Sequence, residues 1–345
     1  LLLTGAGGFI GSHVLRHLLS ETDWDLVATD SFRHKGKTDR ISYQTLDLDL
    51  DDTDRLKIVT HDLAAPISPQ MAKWIGDIDF IIAMASESHV DRSIDDPAGF
   101  IRNNVNVILS TLDYARQVNP AHVIVISTDE VYGPVAAGQA HAEWAPILPS
   151  NPYAASKAAQ EAIAISYWRT YGLPITIVNC MNLIGEMQDR EKYLPKVIAT
   201  VRDGGVVPVH GTSLDIGTRH YLHARNLADA LLYILRDLPA AMFATHFERG
   251  YQYGMTRADR PDRYNIAGPD RVSNLELAQM VADSVGRPLQ YELIDFHSTR
   301  PGHDPHYGLD PGKLTGLGWK PPVPFAESLE RTVRWTLRHP EWLLP

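Results

Sequence analysis

Leu1-Leu-Leu-Thr4 followed by Gly5-Ala-Gly-Gly8-Phe-Ile-Gly11 decides the fold of this 345-residue chain. The first four residues read as a short buried strand, and Ser12 to Ser20 has the spacing of a helix. Glycines 5, 8 and 11 between them suit a tight turn, a close backbone approach to a pyrophosphate and close helix–strand packing. The helix amino terminus then presents free N–H groups and partial positive charge to the phosphates. Phe9 and Ile10 lie in the same turn. A glycine fingerprint alone is weak evidence, but this one has its strand before it and its helix after it.

A second strand, Asp25-Leu-Val-Ala-Thr-Asp30, ends in an acid about 20 residues beyond the fingerprint, where an adenosine ribose is read. Asp30 would accept from the ribose hydroxyls and repel a 2′-phosphate, which predicts NAD rather than NADP. Arg33, Lys35 and Lys37 follow closely and are the groups that could hold a 2′-phosphate instead. Further apolar strands are expected near residues 56–60, 78–84, 122–127 and 174–180. Amphipathic stretches such as Pro97 to Val118 and Asn151 to Tyr171 fall between them. Alternation of this kind predicts an α/β fold with a doubly wound, mostly parallel sheet. Residues 1–180 are expected to form the dinucleotide-binding domain. Residues 181–345 are expected to form a smaller substrate-binding region interleaved with it, with helices near Arg225 to Arg236 and Asn274 to Val285. Ala240 to Arg263 lacks periodicity and reads as an irregular loop.

The fifth strand, His122-Val-Ile-Val-Ile-Ser127, leads directly into Thr128-Asp129-Glu130. The carboxyl end of a parallel strand is where such sheets bind ligands. Tyr153 and Lys157 are one helical turn apart and face the same way. A phenol has a pKa of about 10, so work near neutrality needs a shift of roughly three units, or about 4 kcal/mol. Lys157 and a positive nicotinamide ring are expected to supply it together. Thr128 would hydrogen-bond the reacting oxygen. Asp129 and Glu130 suggest elimination as well as redox chemistry, because neighbouring carboxyls in different environments can hold different protonation states.

Composition narrows the alternatives. A hydrophobic content of 44% with 21% charged residues is that of a globular protein. The net charge of −10 argues against a nucleic-acid partner. Cys180 is the only cysteine, which excludes an intrachain disulfide and a cysteine-based metal cluster, and no metal site is expected. No apolar run is long enough to span a bilayer. The chain starts without Met inside a strand, so a few residues are expected before it and no leader is readable. Cytoplasm is the default expectation.

These stretches, with Glu87-Ser-His-Val-Asp-Arg-Ser-Ile94, Ser127 to Gly133, Asn151 to Ala158, Arg300-Pro-Gly-His-Asp304 and Leu317-Gly-Trp-Lys-Pro321, resemble the extended short-chain dehydrogenase/reductases over nearly the whole chain. Within that family the sequence is most similar to the nucleotide-sugar 4,6-dehydratases. The resemblance implies a redox triad of Thr128, Tyr153 and Lys157, with Asp129 as general acid and Glu130 as the base at C5. It implies a tightly held NAD, a nucleoside-diphosphate hexose substrate (dTDP-glucose first), a 4-keto-6-deoxy product and a homodimer. By the same resemblance Asp62 meets the adenine, Leu63 beside it binds the cofactor, Ala83 and Ala85 line the fourth-strand edge, and Asn104 lies on the cofactor side of the long helix. Ser86, Glu87 and Ser88 approach the sugar, Asn182 and Arg219 meet the phosphates, and Arg300 and His303 lie near the nucleotide.

Departures from the family pattern all fall on the substrate side. Asn182-Leu-Ile-Gly185, followed by Glu186-Met-Gln-Asp-Arg-Glu-Lys192, stands where the family has Asn-Asn-Tyr-Gly, Arg219-His-Tyr221 replaces Arg-Asp-Trp, and residues 240–263 are longer. A UDP-, CDP- or GDP-sugar or a modified hexose stays open as substrate. An epimerase or decarboxylase on the same scaffold, or a non-catalytic dinucleotide-binding protein, are the competing readings.

Overall fold

The computed structural model describes residues 1–48, 55–238, 260–295 and 306–344. Six strands of the first half, β1 (Leu2–Thr4), β2 (Leu26–Asp30), β3 (Leu56–Thr60), β4 (Phe80–Ala83), β5 (His122–Thr128) and β6 (Ile175–Cys180), lie in one parallel sheet. Helices α1 (Phe9–Glu21), α2 (Thr38–Thr45), α3 (Pro69–Ile75), α4 (Val90–Asp95), α5 (Pro97–Val118) and α6 (Pro152–Tyr171) connect them. The second half supplies β7 (Leu183–Ile184), α7 (Tyr193–Arg202), β8 (Val207–His210), β9 (Thr218–Arg219), β10 (Leu222–His223) and α8 (Ala224–Arg236). It continues with β11 (Asp262–Ile266), β12 (Val272–Ser273), α9 (Asn274–Val285), β13 (Tyr291–Ile294), α10 (Gly312–Gly316) and α11 (Phe325–Arg338).

The main sheet has seven strands in the order β11-β6-β5-β4-β1-β2-β3. After β3 the chain crosses back to place β4 on the other side of β1, so the strand order reverses between β1 and β4. That switch point opens the crevice above the carboxyl ends of the strands. The alternation of each strand separates two cores. Leu3, Ala28, Ile82 and Ile124 pack with Leu15 and Leu18 of α1 and Leu227 and Leu231 of α8. Leu2, Val27, Ile81 and Val123 face Ile108 and Leu112 of α5 and Trp168 of α6. A third core joins α7, α9 and α11 through Leu194, Leu277 and Leu329.

One expectation is corrected here. Residues 240–263 read as an irregular loop, but Asp262 and Arg263 begin β11, which pairs in parallel with β6 from Asp262↔Thr176 to Ile266↔Cys180. Residues 239–259 lie outside the described ones. The strand escapes a hydrophobicity reading because Arg263 and Asn265 are both fully buried yet polar. The late-chain helix α8 likewise packs against α1, so the second half contributes a strand and a helix to the dinucleotide-binding layer.

Candidate functional site

The cofactor half is built by backbone geometry. Gly5 has φ +73°, a left-handed conformation that favours glycine. At Gly11 a Cβ would come within 2.1 Å of the Gly5 carbonyl oxygen, so only glycine lets α1 sit this close to the loop. Gly8 caps α1 without a side-chain acceptor, leaving the helix amino terminus turned to the crevice. Asp30 stands at the end of β2, where Oδ2 accepts from Gly7 N and Oδ1 from Phe32 N, both at 2.9 Å. It therefore shapes the phosphate loop as well as facing the crevice. Thr4 Oγ1 accepts from Met84 N and Ala85 N at 2.9 and 3.0 Å and ties β1 to the end of β4.

These residues line a cavity of about 470 Å³, within the usual size of small-molecule sites. Gly5, Gly8, Phe9, Ile10, Gly11, Asp30, Asp62, Leu63 and Ala85 all line it, as do Ser86, Glu87 and Ser88. Ala83 and Asn104 do not. Ala83 is buried in the sheet, and Asn104 is fully buried, binding the Glu87 backbone at both N–H (2.8 Å) and carbonyl (3.1 Å). Asn104 thus fixes the loop, while its neighbour Asn103 reaches the cavity. The three basic residues named above for a 2′-phosphate each have another partner. Arg33 pairs with Asp62 at 3.0 Å, Lys35 with Glu191 at 2.6 Å, and Lys37 lies over the Trp342 ring. The glycine cradle, the uncapped helix and Asp30 fit NAD.

The chemical half lies at the end of β5. Helix α6 starts with Asn151 as its cap, accepting from Ala154 N at 2.8 Å, and Pro152 follows with a φ suited to a first turn. This start places Tyr153 and Lys157 beside Thr128. The Tyr153 phenol is buried beside the Thr128 side chain. The Thr128 hydroxyl donates to Asp129 Oδ1 at 2.9 Å, and the chain turns sharply over Asp129–Tyr132. Glu130 Oε2 accepts from Asn151 Nδ2 at 3.0 Å. Burial, then the neighbouring Glu130, push the Asp129 carboxyl up to about 7. Its Oδ2 is buried with no hydrogen-bond partner in the protein. The Tyr153 phenol is driven well above its usual value, first by burial and then by Glu130. The Thr128 side chain acts in the opposite direction, and the lowering expected from Lys157 calls for the nicotinamide charge as well. Burial brings Lys157 down to about 8.

The wall expected to take substrate faces this pair from the second part of the chain. Asn182, in a left-handed conformation, and Arg219, whose guanidinium lies 4.4 Å from the Tyr307 ring centre, both line the cavity. Arg300 and His303 lie outside the described residues. Sequence reasoning missed Glu191 and Lys192, which enter the cavity from the segment that departs from the family pattern. It also missed Arg40, a fully buried guanidinium bonded to Met187 O, Lys35 O and Asp189. Arg40 joins the cofactor loop to the substrate segment. Its position on a polar helix after β2 carries no motif, and only the long-range contact exposes it.

The NAD dependent epimerase/dehydratase family matches residues 1–244. A probable dTDP-glucose 4,6-dehydratase of Sinorhizobium fredii is 32% identical over 100% of this chain and 95% of its own length. The solved dTDP-glucose 4,6-dehydratase DesIV of Streptomyces venezuelae, with NAD and TYD bound, superimposes with TM-score 0.81 at 32% identity, covering 99% of this chain and 98% of that one. A UDP-glucose 4-epimerase of Thermus thermophilus in complex with NAD is similar too, at TM-score 0.79 and 25% identity over 97% of each chain. With the family model matched over residues 1–244 and a relative 32% identical over 100% of the chain, the chain belongs to the NAD dependent epimerase/dehydratase family.

Proposed function

We propose that this chain is an NAD-dependent hydro-lyase that converts a nucleoside-diphosphate hexose, dTDP-glucose first, into a 4-keto-6-deoxy sugar nucleotide. The observation that carries the reading is Asp129: a buried carboxyl held near 7, with one unpartnered oxygen, beside the Thr128–Tyr153 pair. An acid that is still protonated near neutrality can donate to a leaving hydroxyl. Bound NAD supplies a two-electron acceptor that later returns the pair. Tyr153 takes the proton of the C4 hydroxyl while Thr128 holds that oxygen, and the positive charge of Lys157 favours the phenolate. With C4 a ketone, Glu130 removes the acidified proton from C5, and Asp129 protonates the hydroxyl leaving C6. The net change is an internal redox reaction with one water lost. Asn182, Arg219 and Lys192 hold the diphosphate, where the guanidinium fork suits phosphate oxygens. Arg300 and His303 are assigned to the nucleotide.

Two of the relatives, the probable dehydratase of Sinorhizobium fredii and DesIV, are named for dTDP-glucose, which supports the choice of base and sugar. Homodimer formation and a cytoplasmic location complete the reading. Among the described residues no helix is long and apolar enough to cross a membrane.

The likeness to a 4-epimerase favours a second reading, which uses Tyr153 and Lys157 without the two acids. Asp129→Asn separates them. A dehydratase should lose water elimination by about 10² or more while still reducing NAD in a single turnover. Unchanged turnover in this variant would reject the dehydratase and leave the epimerase.

A further inference from the structure

A buried amide stands one helical turn beyond Lys157, and the proposed chemistry does not use it. Gln160 on α6 is 2% exposed. Its Oε1 accepts from Lys157 Nζ at 2.5 Å, and its Nε2 donates to the Asn104 carbonyl at 2.7 Å. A backbone carbonyl only accepts, so the amide NH2 must face Asn104 and the amide oxygen must face Lys157. The orientation is therefore dictated by α5. Asn104 also binds the Glu87 backbone and Ser156 Oγ, which ties the same link to the loop at the end of β4.

Lys157 Nζ makes a second bond, to the Ile126 carbonyl of β5 at 2.7 Å. An ammonium has three N–H donors. Two of them are held by uncharged acceptors of the protein, and the side chain lines the cavity. Both acceptors are neutral, so the ammonium is fixed without losing its charge to a paired carboxylate. The adjacent Glu161 shows the alternative: it is equally buried, but Arg263 at 2.6 Å and Asn179 at 2.8 Å engage its two oxygens.

We propose that Gln160 is a positioning residue for Lys157, an uncharged strut that anchors the ammonium at the end of β5 and leaves its positive charge to the Tyr153 hydroxyl and the cofactor. This rests on the proposed function. An aliphatic side chain at this place leaves an ammonium N–H unpaired and the lysine stem free to move. A carboxylate holds the ammonium equally well but cancels the charge the phenolate needs. The other titratable groups that act on the ammonium are the Cys180 thiol of β6, pushed up to about 12 by burial and so neutral, and Glu161, already paired.

The test uses the full chain labelled with [13Cε]lysine, with the Lys157 signal assigned against Lys157→Met and followed through pH by NMR, with no substrate present. Wild type is expected to titrate near 8. Gln160→Glu should move that midpoint up by about one to three pH units. Gln160→Met should move it down, because a hydrogen bond to the charged form is lost. In the holoenzyme, Gln160→Glu should shift the acid limb of single-turnover NAD reduction to higher pH with substrate KM unchanged. Gln160→Met should slow that step at every pH. If the Lys157 midpoint stays at the wild-type value in both variants, or the rate profile stays put while only thermal stability falls, Gln160 is a spacer and the proposal fails. A wild type that turns over no sugar nucleotide sinks the dehydratase reading instead, and the substrate-free titration still decides the place of Gln160.

Discussion

Burial brings the Asp129 carboxyl from an ordinary 3.8 up to about 7, and two consequences follow at this one side chain. The elimination step should fall about tenfold per pH unit above roughly 7, as the acid form is depleted. Single-turnover rates of water loss and of NAD reduction, measured separately across pH, would show this limb in the first alone. Stability follows with a definite sign. The folded value lies above the unfolded one, so the favourable contribution is complete below about 4 and is lost as pH rises through 7. Asp129→Asn removes that dependence. The variant should match wild type in urea near pH 4 and exceed it by up to roughly 4 kcal/mol at pH 8, about three units at 1.36 kcal/mol each. Equal differences at both values would mean that the carboxyl is not held up. The sequence singles out this acid by its place after a buried strand. Its burial, and the upward drive on Tyr153, are not legible there, because desolvation depends on walls brought from distant parts of the chain.

At the level of elements, the first strand–helix unit and helix α6 were plain in the sequence because their signals are local. Glycine spacing, an Asn–Pro helix start and period-two apolar strands each act within a few residues. Gly11→Ala would place a Cβ within 2.1 Å of the Gly5 carbonyl, between two backbones that cannot both move. NAD affinity measured by calorimetry should drop by at least about tenfold, roughly 1.4 kcal/mol, and retained affinity would show that the loop relaxes. Strand β11 was hidden because its interior carries charge. Arg263 pairs with Glu161 at 2.6 Å with both side chains wholly buried, and it donates to the Tyr132 hydroxyl at 3.1 Å. Glu161 in turn holds Asn179, which donates to the Thr128 carbonyl at 2.9 Å. A strand and a helix far apart in sequence thus brace the turn that carries Asp129. Arg263→Met leaves Glu161 buried without its partner and should cost about 3–5 kcal/mol in denaturant unfolding. A loss below about 1 kcal/mol would show that the pair is only structural filler.

Over the whole molecule, the site is a crevice whose cofactor wall belongs to the first half of the chain and whose substrate wall belongs largely to the second. Charged contacts cross between the two walls. Lys35 meets Glu191, and Arg40 meets Asp189 and Met187, so the segment after β7 is held directly against the loop after β2. In the proposed function that arrangement would enclose a nucleotide sugar between a redox wall and a diphosphate wall, and Arg219 and Lys192, which line the cavity, would offset the net charge of −10 locally. The sequence motifs placed the candidate chemistry on one wall. They did not tell which residues of 182–192 turn inward, since that segment departs from the family pattern and has no period to read. The most direct test of the 4,6-dehydratase reading follows one atom. Purified enzyme is given dTDP-glucose carrying deuterium at C4, and the product is read by mass spectrometry and NMR. Water loss with the deuterium delivered to C6 is the predicted result. Retained mass with inversion at a ring carbon, or water loss with the label washed out, would contradict it.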